Sequence, residues 1–148
     1  MNTVEEETFK VSMEMVTGYR FRIDMNGAQE IFMDEPKPLG SGEYPNAGKF
    51  LAAAVGNCLC ESLAFCVRRT HTEMLSISAE VFSKMERNER GRLRITHIKV
   101  AIHPVLSDPS KLKLCREIFE DFCIVSQSVK AGIPMDVEVI AGPASGGP

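Results

Sequence analysis

Tryptophan is missing from the 148 residues, and tyrosine and histidine are scarce, at two and three. His71, His97 and His103 are scattered, and no Cys-x-x-Cys or His-x-x-x-His pair occurs. Zinc sites draw their ligands from such local pairs, so no metal is expected. A large excess of one charge is also missing. The 17 Lys and Arg stand against 20 Asp and Glu, for a net charge of −3. Neither nucleic acid nor an anionic membrane surface is therefore an expected partner. Long apolar runs are lacking too: the best candidate, Leu51 to Val67, is interrupted by Gly56, Asn57 and Glu61, so no membrane span is expected. The N-terminus, Met-Asn-Thr-Val-Glu-Glu-Glu, is acidic and does not read as a secretory signal. Five cysteines at irregular spacing do not make a secreted disulfide framework. The expected compartment is the cytosol, where thiols stay reduced and a disulfide is catalytic or transient. Nothing in the sequence asks for a cofactor.

What is present is the composition of one soluble globular domain over 1–148, with 44% apolar and 25% charged residues. The chain is organised around residues 46–70. Leu51, Val55, Cys58, Ser62 and Phe65 recur at helical spacing, and Ala52, Leu59, Leu63 and Cys66 fill the neighbouring face. A helix apolar over most of its circumference belongs inside a protein. Asn46 is a suitable N-cap, and Arg68 and Arg69 suit the negative end of the helix dipole.

Before this helix, Phe9, Val11, Met13 and Met15 alternate with polar residues, as do Tyr19, Phe21, Ile23 and Met25. Thr17-Gly18 and Asn26-Gly27 are turn signals, and Ile31 to Met33 makes a third short strand. Residues 34–45 hold three prolines and two glycines and must be a loop. After the helix, residues 75–85 and 93–102 read as two strands, with a register slip near Thr96-His97 that marks a β-bulge. Asp108-Pro109 starts a helix with Leu112, Cys115, Ile118, Phe119 and Phe122 as its buried stripe. A second short helix runs from about Cys123 to Lys130 and stops at Gly132; Met135 to Ile140 is a last strand, and a flexible tail follows from about 142. The order is α+β.

The cysteines carry the candidate chemistry. Cys58 and Cys60 are two apart on a helix, so they point about 200° from one another and cannot share a metal or a disulfide. A Cys–His hydrolase would need a histidine that spacing alone does not supply. Thiol redox chemistry fits better. Cys58 lies among small residues that leave room for a substrate, and Cys123 opens a helix, where a thiolate is stabilised. Against this stands the ordinary use of buried cysteine as a small hydrophobe, which is the reading for Cys66 and Cys115.

Two stretches add to that reading. Phe-Leu-Ala-Ala-Ala-Val-Gly-Asn-Cys, residues 50–58, resembles the Leu-Leu-Ala-Ala-Leu-Gly-x-Cys opening of the central helix in the OsmC/Ohr family of osmotically inducible and organic hydroperoxide resistance proteins. Phe-Cys-Ile-Val-Ser-Gln-Ser-Val-Lys-Ala-Gly, residues 122–132, resembles its Cys-Pro-Val-Ser motif. The resemblance implies antiparallel sheets packed on a long central helix, and an intertwined homodimer with two active sites at its interface. It implies Cys58 as the peroxidatic cysteine and Cys123 as the resolving one. It further implies organic hydroperoxides as substrates and a dithiol, such as a lipoylated protein, as reductant. The alternative is a family member without efficient peroxidase activity that binds an apolar or thiol-bearing small molecule. Departures from the family pattern support that alternative. Asn46-Ala47-Gly48-Lys49 stands where peroxidases carry Asn-Pro-Glu, and Ile124 replaces the proline after the second cysteine. Arg20 or Arg22 is the candidate cation, Glu43 the candidate substitute carboxylate, and Lys49 a further cation.

Overall fold

The computed structural model describes residues 7–27 and 29–143. Most of the expected tail, beyond 143, lies outside them. Three antiparallel strands open the chain: β1 (Ser12–Thr17), β2 (Arg20–Asp24) and β3 (Ile31–Met33), in the order β1-β2-β3. Asn26 and Gly27, in the connection between β2 and β3, both take positive φ, 65° and 107°, which these two residue types tolerate. The long helix α1 (Ala47–Arg69) begins at Asn46, whose side chain accepts the Lys49 N–H at 3.0 Å. Two 14-residue strands, β4 (Met74–Arg87) and β5 (Leu93–Leu106), form an antiparallel ribbon. Lys84 pairs with His97 and Met85 with Ile95, which leaves Thr96 as the extra residue of the expected bulge.

Beyond β5 lie α2 (Leu112–Ile118), a 3-10 turn over Phe119–Phe122, and α3 (Ile124–Ala131). Asp108 caps the first turn of this region and Pro109 follows it, as expected. Gly132 ends α3 in the left-handed conformation at φ 71°.

The core lies between α1 and the β4–β5 ribbon, closed at its ends by α2, α3 and the 3-10 turn. Leu63, Val67 and Leu106 centre one cluster, and Val55 and Leu59 the other. Gly56 lets helix and sheet approach: a Cβ there would stand 2.6 Å from Val81 Cγ2. α1 does have the length and composition of a membrane crossing, contrary to the sequence expectation, since one Glu amid 18 apolar positions does not disqualify it. Its Val55, Leu59, Leu63 and Val67 face is nonetheless buried against this chain's own core.

Four expectations need correction. Met135–Ile140 is not a strand: its residues pair with nothing among the described residues, and Met135, Val137, Val139 and Ile140 are exposed. A strand exists only as half of a ladder, and no edge meets this one. The apolar face of β1 is likewise uncovered, with Met13 and Met15 exposed rather than half-buried. Phe65 on α1, and Ile118 and Phe122 in the following region, face solvent instead of filling their buried stripes. Cys66 and Cys115 are not separate reduced fillers. They form a disulfide that spans 49 residues and ties α1 to α2, with Cα atoms 5.7 Å apart. Both are buried where α2 crosses the last turns of α1, and that crossing is what brings them together.

Candidate active site

Cys58 and Cys123 meet where α1 packs on α3 and on the 3-10 turn before it. Cys58 sits in the middle of α1, half-buried. Cys123 is the N-cap of α3, with extended backbone (φ −81°, ψ 104°). Its N–H bonds the Glu120 carbonyl at 3.1 Å, and its carbonyl accepts the Gln127 N–H at 3.1 Å. Its sulfur takes the place that a serine oxygen usually holds at a helix start, accepting the Ser126 N–H at 3.4 Å. The residue is 0% exposed.

Cys58 packs against the buried cluster that holds Cys123, and the two thiols have different environments. Burial pushes the Cys58 thiol up. The Val125 N–H favours its anion, but Cys123 and the Glu61 carboxylate disfavour it. Burial opposes charge on Cys123 as well. There it is outweighed by the Ser126 hydroxyl, the Cys58 thiol, the Ser126 N–H and the Ser62 hydroxyl, and the Cys123 thiol is held below its ordinary value. Ser62 stands one turn beyond Cys58 on α1, and the Ser126 hydroxyl is buried with no partner of its own, free to turn its proton toward a charged sulfur. Ionisation is thus eased at Cys123 and opposed at Cys58.

Cys58 opens onto a cleft of about 350 Å³ lined by Glu61, Ser62, Phe65, Phe122 and Ile124. Three of these are apolar side chains that the chain leaves exposed. Cys60 faces a different cleft, with Asn57, Glu61, Arg68 and Ser78, so it takes no part in the pair.

The four supporting residues read from the sequence are placed elsewhere. Arg20 on β2 is held by the 34–45 loop. It donates to Ser41 Oγ at 3.1 Å and to Glu43, lies 3.7 Å from buried Asp34, and stacks over Tyr44 at 4.9 Å. Arg20 and Glu43 are thus brought together, but away from the cysteines. Arg22 pairs with Glu14 and Glu30 on the strand surface. Lys49 lies about two and a half turns before Cys58, on the opposite side of α1. Among the described residues, burial is the largest influence on the Cys58 thiol and no cation figures beside it. Sequence reasoning missed Ser62 and Ser126. Both had a signal: Ser62 is four residues after Cys58 on a helix, and Ser126 is three after a helix-capping cysteine, the spacing at which a cap meets its N–H donor.

The family described as OsmC-like protein has a model that matches residues 40–138, a stretch that includes both cysteines. The chain belongs to the OsmC family. Its fold is the OsmC-like one, mixed α and β with antiparallel sheets. An OsmC-like protein of unknown function from Vibrio cholerae superposes with a TM-score of 0.75 at 12% identity, over 84% of this chain and 95% of that one. An organic hydroperoxide resistance protein from Elizabethkingia anophelis gives 0.64 at 17%, over 89% and 93%. An organic hydroperoxide resistance protein, OsmC, from Legionella pneumophila gives 0.62 at 13%, over 86% and 92%. At such identities the likeness is one of fold. No curated protein matches the sequence.

Proposed function

We propose that this OsmC protein reduces organic hydroperoxides with the Cys58–Cys123 pair and so serves in oxidative stress defence. The observation that carries the reading is that two cysteines 65 positions apart in sequence (123 − 58) share one packed cluster where α1 meets α3, beside a cleft with apolar walls. Cys58 is the peroxidatic residue because it alone of the two reaches the cleft. Its sulfur attacks the distal peroxide oxygen, the O–O bond breaks, and the alcohol leaves. The resulting sulfenic acid is captured by Cys123, with loss of water, to give a disulfide. A dithiol, such as a lipoylated protein, then exchanges with that disulfide and restores both thiols. Phe65, Phe122 and Ile124 favour a bulky organic substrate over hydrogen peroxide. In this reading the protein is a homodimer, and a second copy brings Arg20, already oriented by Glu43, to the mouth of the cleft.

The test is intact-mass analysis after one equivalent of cumene hydroperoxide. We expect the loss of two hydrogens, mapped to a Cys58–Cys123 disulfide, and no loss in Cys58→Ser. Undiminished peroxidase activity in Cys58→Ser would end the assignment.

One observation favours a second reading. Burial and Glu61 hold Cys58 as a thiol, and no cation of its own chain opposes them. A protein so arranged could bind an apolar or thiol-bearing small molecule in the cleft without turning over peroxide. An unchanged mass after peroxide, together with saturable binding of such a thiol, would select this alternative.

A further inference from the structure

The cleft onto which Cys58 opens carries charge of one sign. Its walls are Ser62, Phe65, Phe122 and Ile124, and Glu61 is the one ionisable side chain there beside Cys58 itself. Glu61 stands three residues after Cys58 on α1, a spacing that puts two side chains on one face about 5–6 Å apart. Arg68 lines the neighbouring cleft, which Glu61 shares, and Arg69 stacks on Phe65 at 5.8 Å from its ring centre. These two stand seven and eight residues on, about 10–12 Å of helix rise from Glu61. Glu120 and Lys130 pair with one another at 3.8 Å and line a different cleft. Among the described residues, no cation lies within ion-pair distance of the Glu61 carboxylate. Apolar walls sharpen the effect, because a charge beside low-dielectric surface acts further than one in open water.

We propose that Glu61 sets the charge specificity of the Cys58 site, admitting uncharged and cationic molecules and turning carboxylates away. The substrate class is then a neutral organic hydroperoxide, and a thiol that enters the cleft is one without an acidic group near its sulfur. A like charge about 4 Å from the carboxylate loses roughly fivefold in occupancy even at the dielectric of water, and an opposite charge gains as much. An Arg20 brought by a second copy arrives with Glu43 on it, a neutral pair, and leaves the sign of the cleft unchanged. The substrate class rests on the peroxide-reducing reading above; the charge selection rests on the cleft alone.

Charged thiol reagents read this selection without peroxide. In Cys60→Ser protein with the Cys66–Cys115 bond intact, Cys58 is the open thiol, because Cys123 is sealed. Its modification by trimethylammonium-ethyl and by sulfonatoethyl methanethiosulfonate is followed by mass, each rate taken relative to that of 2-mercaptoethanol. In both reactions the sulfur gains the thioalkyl group as a mixed disulfide and methanesulfinate leaves, so the two reagents differ in the charge they deliver. The cationic-to-anionic rate ratio should exceed that of 2-mercaptoethanol. Glu61→Gln should lower it by roughly tenfold, and Glu61→Asp should hold it. Easier ionisation of Cys58 in Glu61→Gln speeds both reagents together and cancels from the ratio, which separates charge selection from altered thiol reactivity. A ratio that agrees within about twofold between parent and Glu61→Gln overturns the inference. Cumene hydroperoxide and its para-carboxylate carry the selection to substrate. The kcat/KM for the carboxylate relative to the neutral peroxide should rise roughly fivefold in Glu61→Gln, and an unmoved value overturns the substrate class. If the parent consumes neither peroxide, the peroxidase reading fails, and the reagent ratio decides the charge selection by itself.

Discussion

Two regions of this chain carry comparably strong apolar patterns and end in opposite environments. In the helix–ribbon region, from α1 to α3, the periodic residues find cover: Leu63 is 3% exposed and Val67 and Cys115 are sealed. In β1 and the segment after α3, residues of the same kind at regular alternation stay open, whereas Ile23 of β2 is buried. Met13 is 61% exposed and Val139 90%. The family match begins at residue 40 and so includes the first region and not the N-terminal sheet. The comparison teaches that periodicity reports which face of an element needs cover, and says nothing of where that cover comes from. α1 and the β4–β5 ribbon are neighbours in sequence, and each supplies the other's missing face. The β1–β3 sheet is tied mainly to the 34–45 loop, through Arg20, Tyr44 and the Asp34 N–H to Pro45 carbonyl bond at 3.1 Å, and Met13 and Met15 of its apolar face stay exposed.

Thermal and denaturant unfolding can break or sharpen this contrast. Leu63→Ala removes a side chain from the middle of the covered region and should cost about 2–5 kcal/mol. Reduction of the Cys66–Cys115 bond, or Cys66→Ser with Cys115→Ser, frees a 49-residue separation in the unfolded chain. By loop entropy alone that should cost about 4 kcal/mol, read as a lower Tm in dithiothreitol. Met13→Ser and Val139→Ser change side chains that touch little, so in an isolated chain each should fall within about 0.5 kcal/mol. If either costs as much as Leu63→Ala, the open region is covered in solution. A concentration-dependent Tm and a doubled mass by light scattering would then identify the cover as a second copy.

The local features of the fold were legible because each is set within a few residues. Asn46 as a cap, the Asn26-Gly27 turn, the Thr96 bulge and the Gly132 stop all depend on backbone chemistry at one position. The cysteine pair was legible because two short motifs flank it. The serines that tune it were not singled out, although their spacing was present in the sequence. The Cys66–Cys115 bond could not be read at all, since nothing local relates residues that meet only when α2 crosses α1.

By itself, then, the sequence determined where the helices start and stop, and which residues carry sulfur, because those properties follow from near-neighbour sterics and from side-chain identity. Only the tertiary structure decided which thiol is eased toward ionisation, which two cysteines are bonded, and that Arg20 stands with Glu43 rather than with Cys58. Those outcomes turn on desolvation and hydrogen bonds supplied by distant segments, and such contacts exist only once the chain has folded back on itself.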